Sequence, residues 1–319
     1  MKRILPFLAV AALFSCEKAE LPKPLSGAPS ANTVSVTMGS DYANQLFFDL
    51  SSASVVSQNN REIWDLAFAS GENNRMIALN SSKFMALSKT NETDLANVSA
   101  GTAVTWIYDN QKGMADSMAF SNWELNKVYI IDRGTSTLGT QIGKMKIRVT
   151  NFSATSYTIE WAPLAATTFS SNTIQKNSDY NFTFFSFEGQ GQVVSVEPEK
   201  DKWDLEFTSY TYIYPDGVPY LVTGVLSNRN LVKVEETPLT YDAIDYTSAH
   251  ATDFSDDLDI IGYDWKIYDF DLSTYLVQFD KNYIIKAVDG RYYKLRFLDF
   301  YDVSGSKGTP SFELQELVP

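Results

Sequence analysis

The chain has 319 residues, with 39 Asp and Glu against 26 Lys and Arg and a formal net charge of −13. Such a balance repels phosphate backbones and anionic headgroups alike, so nucleic acid is excluded as a partner and any membrane attachment has to come through an anchor. Aromatic residues make up 14% and hydrophobic residues 44% of the chain, ample for one or two cores and too much for a disordered protein.

At the N-terminus, Lys2 and Arg3 precede an apolar run from Ile4 to Phe14 that is too short to span a bilayer. This is the pattern of a secretory signal peptide, here over residues 1–15. The run ends in Leu13-Phe14-Ser15-Cys16, and a small residue followed by cysteine at that place resembles a lipobox, where the leader is cleaved and the thiol acylated. Cys16 is therefore the expected lipidation site of an exported bacterial lipoprotein held at the outer membrane or cell surface. It is also the only cysteine, so no disulfide framework is available and stability has to come from apolar burial. From Cys16 to Ala31 the chain is rich in Pro, Ser and charge, which predicts a flexible tether. No later segment is apolar enough to be a second anchor.

Two related copies follow in tandem. Asp41-Tyr42-Ala-Asn-Gln-Leu-Phe47-Phe48 recurs as Asp179-Tyr180-Asn-Phe-Thr-Phe184-Phe185, and Ile63-Trp64-Asp65-Leu66-Ala67-Phe68 as Lys202-Trp203-Asp204-Leu205-Glu206-Phe207. Lys127-Val-Tyr129-Ile-Ile131 returns as Lys281-Asn-Tyr283-Ile-Ile285, with extra loop sequence between the motifs of the second copy. The repeat is far too long for a solenoid unit, and each copy is of a size to hold a core. The domains are expected at 32–164 and 173–319, joined through the stretch around 165–172.

Inside each copy the signals are those of strands. Lys144-Met-Lys-Ile-Arg-Val-Thr and Tyr292-Tyr-Lys-Leu-Arg-Phe-Leu alternate apolar and polar, as half-buried strands do. Asp289-Gly290 is a hairpin turn of the type that needs positive φ. Tyr210, Tyr212 and Tyr214 share one face of a strand that ends at the turn cluster Pro215-Asp216-Gly217-Val-Pro219. The expected class is mainly β, antiparallel, with few short helices.

The segment from Tyr180 to Val196, then Lys202-Trp203-Asp204-Leu205-Glu206-Phe207, Gly290-Arg-Tyr-Tyr-Lys-Leu-Arg-Phe-Leu-Asp-Phe-Tyr, and the closing Lys307-Gly308-Thr-Pro-Ser-Phe312 resemble the HmuY-like lipoproteins of Bacteroidetes. The resemblance is clearest over the second copy. It implies a β-rich domain that binds haem for iron acquisition and hands it to an outer-membrane receptor. It also implies that side chains from loops clamp the iron axially, histidines in some members and methionines in others, both neutral donors to iron. The single histidine, His250, lies between the Trp-Asp and Tyr-Ile-Ile motifs of the second copy, where the family takes its ligands, and Tyr268 precedes that Tyr-Ile-Ile motif as a possible phenolate. The first copy has no histidine but offers Met114 and Met118 before its own Tyr-Ile-Ile motif, with Met76 and Met85 after its Trp-Asp motif. Methionines in such positions also fill apolar gaps.

Catalysis lacks parts. With one histidine and a lipidated cysteine, neither Ser-His-Asp nor Cys-His chemistry can be assembled, and no phosphate-cradling glycine loop opens a helix. Asp253, Asp256, Asp257 and Asp259 lack the alternating ligands and glycine of a calcium loop, so no metal beyond haem iron is expected. Two other readings stay open. One is a binding module in which Tyr210, Tyr212, Tyr214 and Trp106 stack on sugar or peptide, and the other is a structural accessory subunit of a surface complex.

Overall fold

The structure, a computed structural model, describes residues 33–319. The signal peptide, Cys16 and the tether lie outside the described residues. The first copy contributes β1 (Thr33–Ser35), β2 (Asn44–Asp49), β3 (Ser54–Asn60), β4 (Leu66–Ala69), β5 (Ile77–Leu79), β6 (Ala86–Lys89), β7 (Tyr129–Asp132), β8 (Lys144–Phe152) and β9 (Ser156–Pro163). The second repeats the series as β10 (Ser170–Gln175), β11 (Phe182–Ser186), β12 (Gln192–Val194), β13 (Leu205–Ile213), β14 (Pro219–Ser227) and β15 (Lys233–Thr237). It then inserts a hairpin, β16 (Lys266–Asp269) and β17 (Thr274–Val277), before closing with β18 (Asn282–Lys286), β19 (Tyr292–Tyr301) and β20 (Lys307–Leu317). One α-helix is described, α1 (Tyr246–His250), started by a capping box in which Asp245 and Ser248 satisfy each other's backbone N–H. Gly290, at φ +85°, makes the turn between β18 and β19 that Asp289-Gly290 predicts.

The copies are tandem in sequence but exchanged in space. Two five-stranded antiparallel sheets run β1-β20-β19-β18-β15 and β10-β9-β8-β7-β6, so β10 stands to β9 as β1 stands to β20. The stretch expected to be a linker around 165–172 thus ends in an edge strand, fixed by the buried Ile174. In the four-stranded sheets the hairpins cross over: β2 and β3 of the first copy continue β13 and β14 of the second, and β11 and β12 continue β4 and β5. The registers match, with Leu205 opposite Phe48 and Leu66 opposite Phe185. Each five-stranded sheet packs on a four-stranded one. One core joins Val36, Met38, Leu46, Phe48 and Leu50 to residues from Leu205 to Leu314, and the other joins Phe185 and Phe187 to residues from Leu66 to Ile174.

The Trp-Asp motif locks this exchange. Asp65 accepts the backbone N–H of Phe187 at 2.7 Å, and Asp204 accepts that of Leu50 at 2.8 Å, the equivalent residue on the opposite hairpin. Asn80 and Asn228 repeat the symmetry, each donating from Nδ2 to the carbonyl of its Trp, Trp64 at 2.9 Å and Trp203 at 2.8 Å. The indoles then meet the other copy's ring edge to face, Trp64 on Phe184 and Trp203 on Phe47, both at 4.9 Å. These rings, with Ala67, Ala78, Met118 and Val196, form a third core between the outer faces of the four-stranded sheets.

Candidate functional site

The two copies differ most in the segments that the ligand expectation singles out. His250, exposed at the end of α1, has its ring 5.9 Å from Tyr246 and 6.2 Å from Tyr292 at the start of β19. Tyr268, on β16, contacts Tyr275 at 5.1 Å, and Tyr275 contacts Phe300 near the other end of β19 at 5.0 Å. Phe300 lies eight residue steps along the strand from Tyr292, about 26 Å at the usual rise. The structure therefore does not bring His250 and Tyr268 to one iron. Tyr268 belongs instead to an exposed apolar hairpin whose Phe270 is 86% exposed.

The methionines divide differently. Met85 is fully buried in the core of the sandwich that holds β4 to β9, and Met114 stands exposed before a 3₁₀ turn, Ala115–Ser117. Met118 and Met76, however, line the same pocket, of about 510 Å³. Two segments build it, Asn74–Ile77 and Ala115–Trp123, and each carries one thioether. Phe120 and Trp123 supply aromatic wall, and Arg75 lies 4.2 Å over the Trp123 ring, which donates from its indole nitrogen to the Arg75 carbonyl at 2.6 Å. The size is that of small-molecule sites, and the donor set of neutral thioethers, flat aromatic wall and one exposed cation fits a porphyrin with acidic side chains.

The HmuY protein family matches residues 41–174 and 178–314, both copies and most of the chain. The chain belongs to the HmuY family. Among solved structures, apo PinO from Porphyromonas gingivitis is similar at 11% identity and a TM-score of 0.36, with 90% of this chain and 96% of that one covered. The apo HmuY analog TFO of Tannerella forsythia follows at 8% identity and 0.27, covering 90% and 95%. A Bacteroides vulgatus protein described as HmuY-like and heme-binding stands at 14% identity and 0.23, covering 92% and 97%. A comparison with curated proteins finds none that matches.

Within this HmuY-family frame the second copy covers the place that corresponds to Met76. By register Met76 corresponds to Gly224, and there the chain crosses over the strand: Val225 and Gly262 form a two-way backbone bridge. A Cβ on Gly224 would lie 2.2 Å from the Gly262 carbonyl oxygen, so only glycine allows the crossing. Met118 and Met76 stand by the motifs from which the sequence offered them as candidates, and Arg75 and Trp123 carry no sequence signal beyond closeness to those methionines.

The aromatic face expected from alternation splits. Tyr210 is buried, while Tyr212 and Tyr214 join Tyr263 and the exposed Tyr220 in a ring cluster with centroids 5.0 to 6.3 Å apart. Trp106 is half-buried beside Lys144. The acidic stretch spends its charge on lysines, with Asp256 on Lys233 and Asp257 on Lys112.

Elsewhere the two Trp-Asp carboxylates differ. Burial pushes Asp65 up, but Lys83 and Arg133 outweigh it and hold the group below its usual range, Arg133 by a bidentate pair at 2.9 and 3.0 Å. Asp204 has no such cations, and burial raises it to about 6 against the backbone N–H bonds from Val288 and Leu50.

Proposed function

We propose that this chain is a lipid-anchored HmuY-family protein that captures haem in the pocket of its first copy and passes it to an outer-membrane partner. The observation that carries the reading is the meeting of Met76 and Met118 on one aromatic-walled pocket beside Arg75. When bound, haem would bring an iron that accepts thioethers, which are soft donors suited to the ferrous state. Met76 and Met118 would hold the iron, Phe120 and Trp123 would cover ring surface, and Arg75 would pair with a propionate. Most of the affinity would come from the apolar wall, so losing one thioether should change the spectrum more than it abolishes binding. Anchoring rests on Cys16, and delivery rests on the family's habit.

The test is a titration of the full mature chain with haemin, with and without dithionite. The expected result is a saturable Soret band with tighter binding after reduction, accompanied by quenching of indole fluorescence. No saturable band in either oxidation state overturns the proposal. A second reading, stacking of a sugar ring on the Tyr212, Tyr214, Tyr220 and Tyr263 cluster, is favoured by the 59% exposure of Tyr220. An oligosaccharide array reads it independently of haem.

A further inference from the structure

Between the two exchanged four-stranded sheets lies a second cavity, of about 130 Å³, which adjoins the methionine pocket and shares Met118 with it. It holds room for several waters' worth of ligand. Its walls include Trp64, Trp203, Phe47 and Phe184, and its floor carries charge that the fold does not require. Glu206 faces it at the position where the first copy has Ala67, and Arg229 where the first copy has Ser81, both equivalences fixed by strand register. Since the same frame folds with alanine and serine there, the two ionisable groups are not structural necessities. Buried charges are costly unless something compensates them.

The compensation acts at a distance: Glu197, Asp109 and Glu206 all favour the charged Arg229 without closing an ion pair with it. Among the described residues Arg229 makes no ion pair; its guanidinium donates to the Gly113 carbonyl at 3.3 Å and to the Met76 sulfur at 3.6 Å, and lies 4.9 Å from the Phe182 ring. Glu206 accepts no side-chain hydrogen bond among the described residues. Two further donors are buried without partners on the cavity wall: the amide nitrogen of Gln45, a residue 1% exposed, and the indole nitrogen of Trp203, a residue 4% exposed. Nearby Glu197 and Asp109 are already engaged by backbone N–H groups, those of Phe182 for the first and of Leu79 and Ala119 for the second.

We infer that this cavity is a binding site for a small zwitterion of the free amino-acid class, its carboxylate on Arg229 and its ammonium on Glu206, with an apolar side chain against the indoles. A guanidinium and a carboxyl that share one enclosed space without closing an ion pair are complementary to a zwitterion, whose ammonium displaces the carboxyl proton as its carboxylate meets the guanidinium. The volume suits one residue rather than a peptide. Empty, the site keeps Glu206 raised to about 8, by burial first and then by Glu197, so an incoming ammonium should drive off a proton.

The test uses the full mature chain and calorimetry with L-alanine, L-valine and L-leucine, each also as its N-acetyl and its amide derivative. At least one free amino acid should bind saturably with proton release, read as a dependence of the heat on the ionisation enthalpy of the buffer. Both blocked forms and the Glu206→Gln chain should bind at least tenfold more weakly, with circular dichroism of the variant unchanged. Haem uptake by Glu206→Gln should match the wild type, which separates this site from the methionine pocket. Absence of binding by all three free amino acids, or equal binding of blocked and free forms, overturns the inference.

Discussion

The strand exchange makes a sharp statement about what each half of the chain can do alone. Residues 170–319 contain a complete second copy, but without β1 to β3 they lose Val36, Met38, Leu46, Phe48 and Leu50 from their core, each at most 4% exposed. At about 1.5–3 kcal/mol per buried side chain the loss is roughly 8–15 kcal/mol, which equals the whole stability of an ordinary domain. The hairpin β11–β12 would meanwhile expose Phe184, Phe185 and Phe187, built to pack with the first copy. The isolated fragment should show no cooperative thermal transition and no near-ultraviolet circular dichroism. A rearranged chain joining 33–60 directly to 195–319 should show both, because it restores the sheet neighbours of β13 and β20. If 170–319 alone melts cooperatively with native-like aromatic signals, the exchange does not hold the molecule together.

Trp64→Ala and Trp203→Ala should each cost about 3–5 kcal/mol, and because both rings sit in the shared core both should lower one common transition in a denaturant melt. Asp65→Asn should cost about 3–5 kcal/mol by leaving Lys83 and Arg133 without their buried anion, measured as a shift in the urea midpoint. Asp109, Asp204 and Asp259 are raised to about 6, Glu197 to about 7 and Glu206 to about 8, burial being the first cause in each. These groups hold protons in the folded state that the unfolded chain releases, so their stabilisation is full below about pH 4 and fades as pH rises towards 8. The melting temperature should therefore be higher at pH 5 than at pH 7.5, by on the order of 5 °C, and an increase towards pH 7.5 would contradict the assignments. Cys16→Ala should release the chain from the detergent phase, since the acyl chains supply the only expected membrane affinity; a wild-type mature chain found soluble and unacylated would remove the anchor.

Much of the fold was legible because repetition and alternation are local properties. Trp64-Asp65 and Trp203-Asp204 mark the same place twice, and the period of two over Tyr292–Phe297 names a strand without reference to its neighbour. Pairing is not local. Both copies present the same Phe-Phe hairpin, so alternation cannot say whether Phe48 lies beside Leu66 or Leu205, and only the registers reveal the crossing. The site was legible in part for the same reason. Met76 and Met118 were visible as candidates, but their convergence depends on how Asn74–Ile77 meets the loop before β7. His250 and Tyr268 share a loop-rich stretch in sequence yet stand at opposite ends of β19. The charged cavity did leave a trace in sequence, Glu206 set against Ala67 in otherwise matching motifs.

The most direct measurement is the low-temperature spectrum of the haem-loaded, dithionite-reduced full chain, compared among wild type, Met76→Ala, Met118→Ala, His250→Ala and Tyr268→Phe. The ligand field of the iron should change with either methionine substitution and remain that of the wild type in the other two. A spectrum altered by His250→Ala or Tyr268→Phe, and unmoved by both methionine substitutions, would place haem in the second copy and contradict the assignment to the pocket of Met76 and Met118.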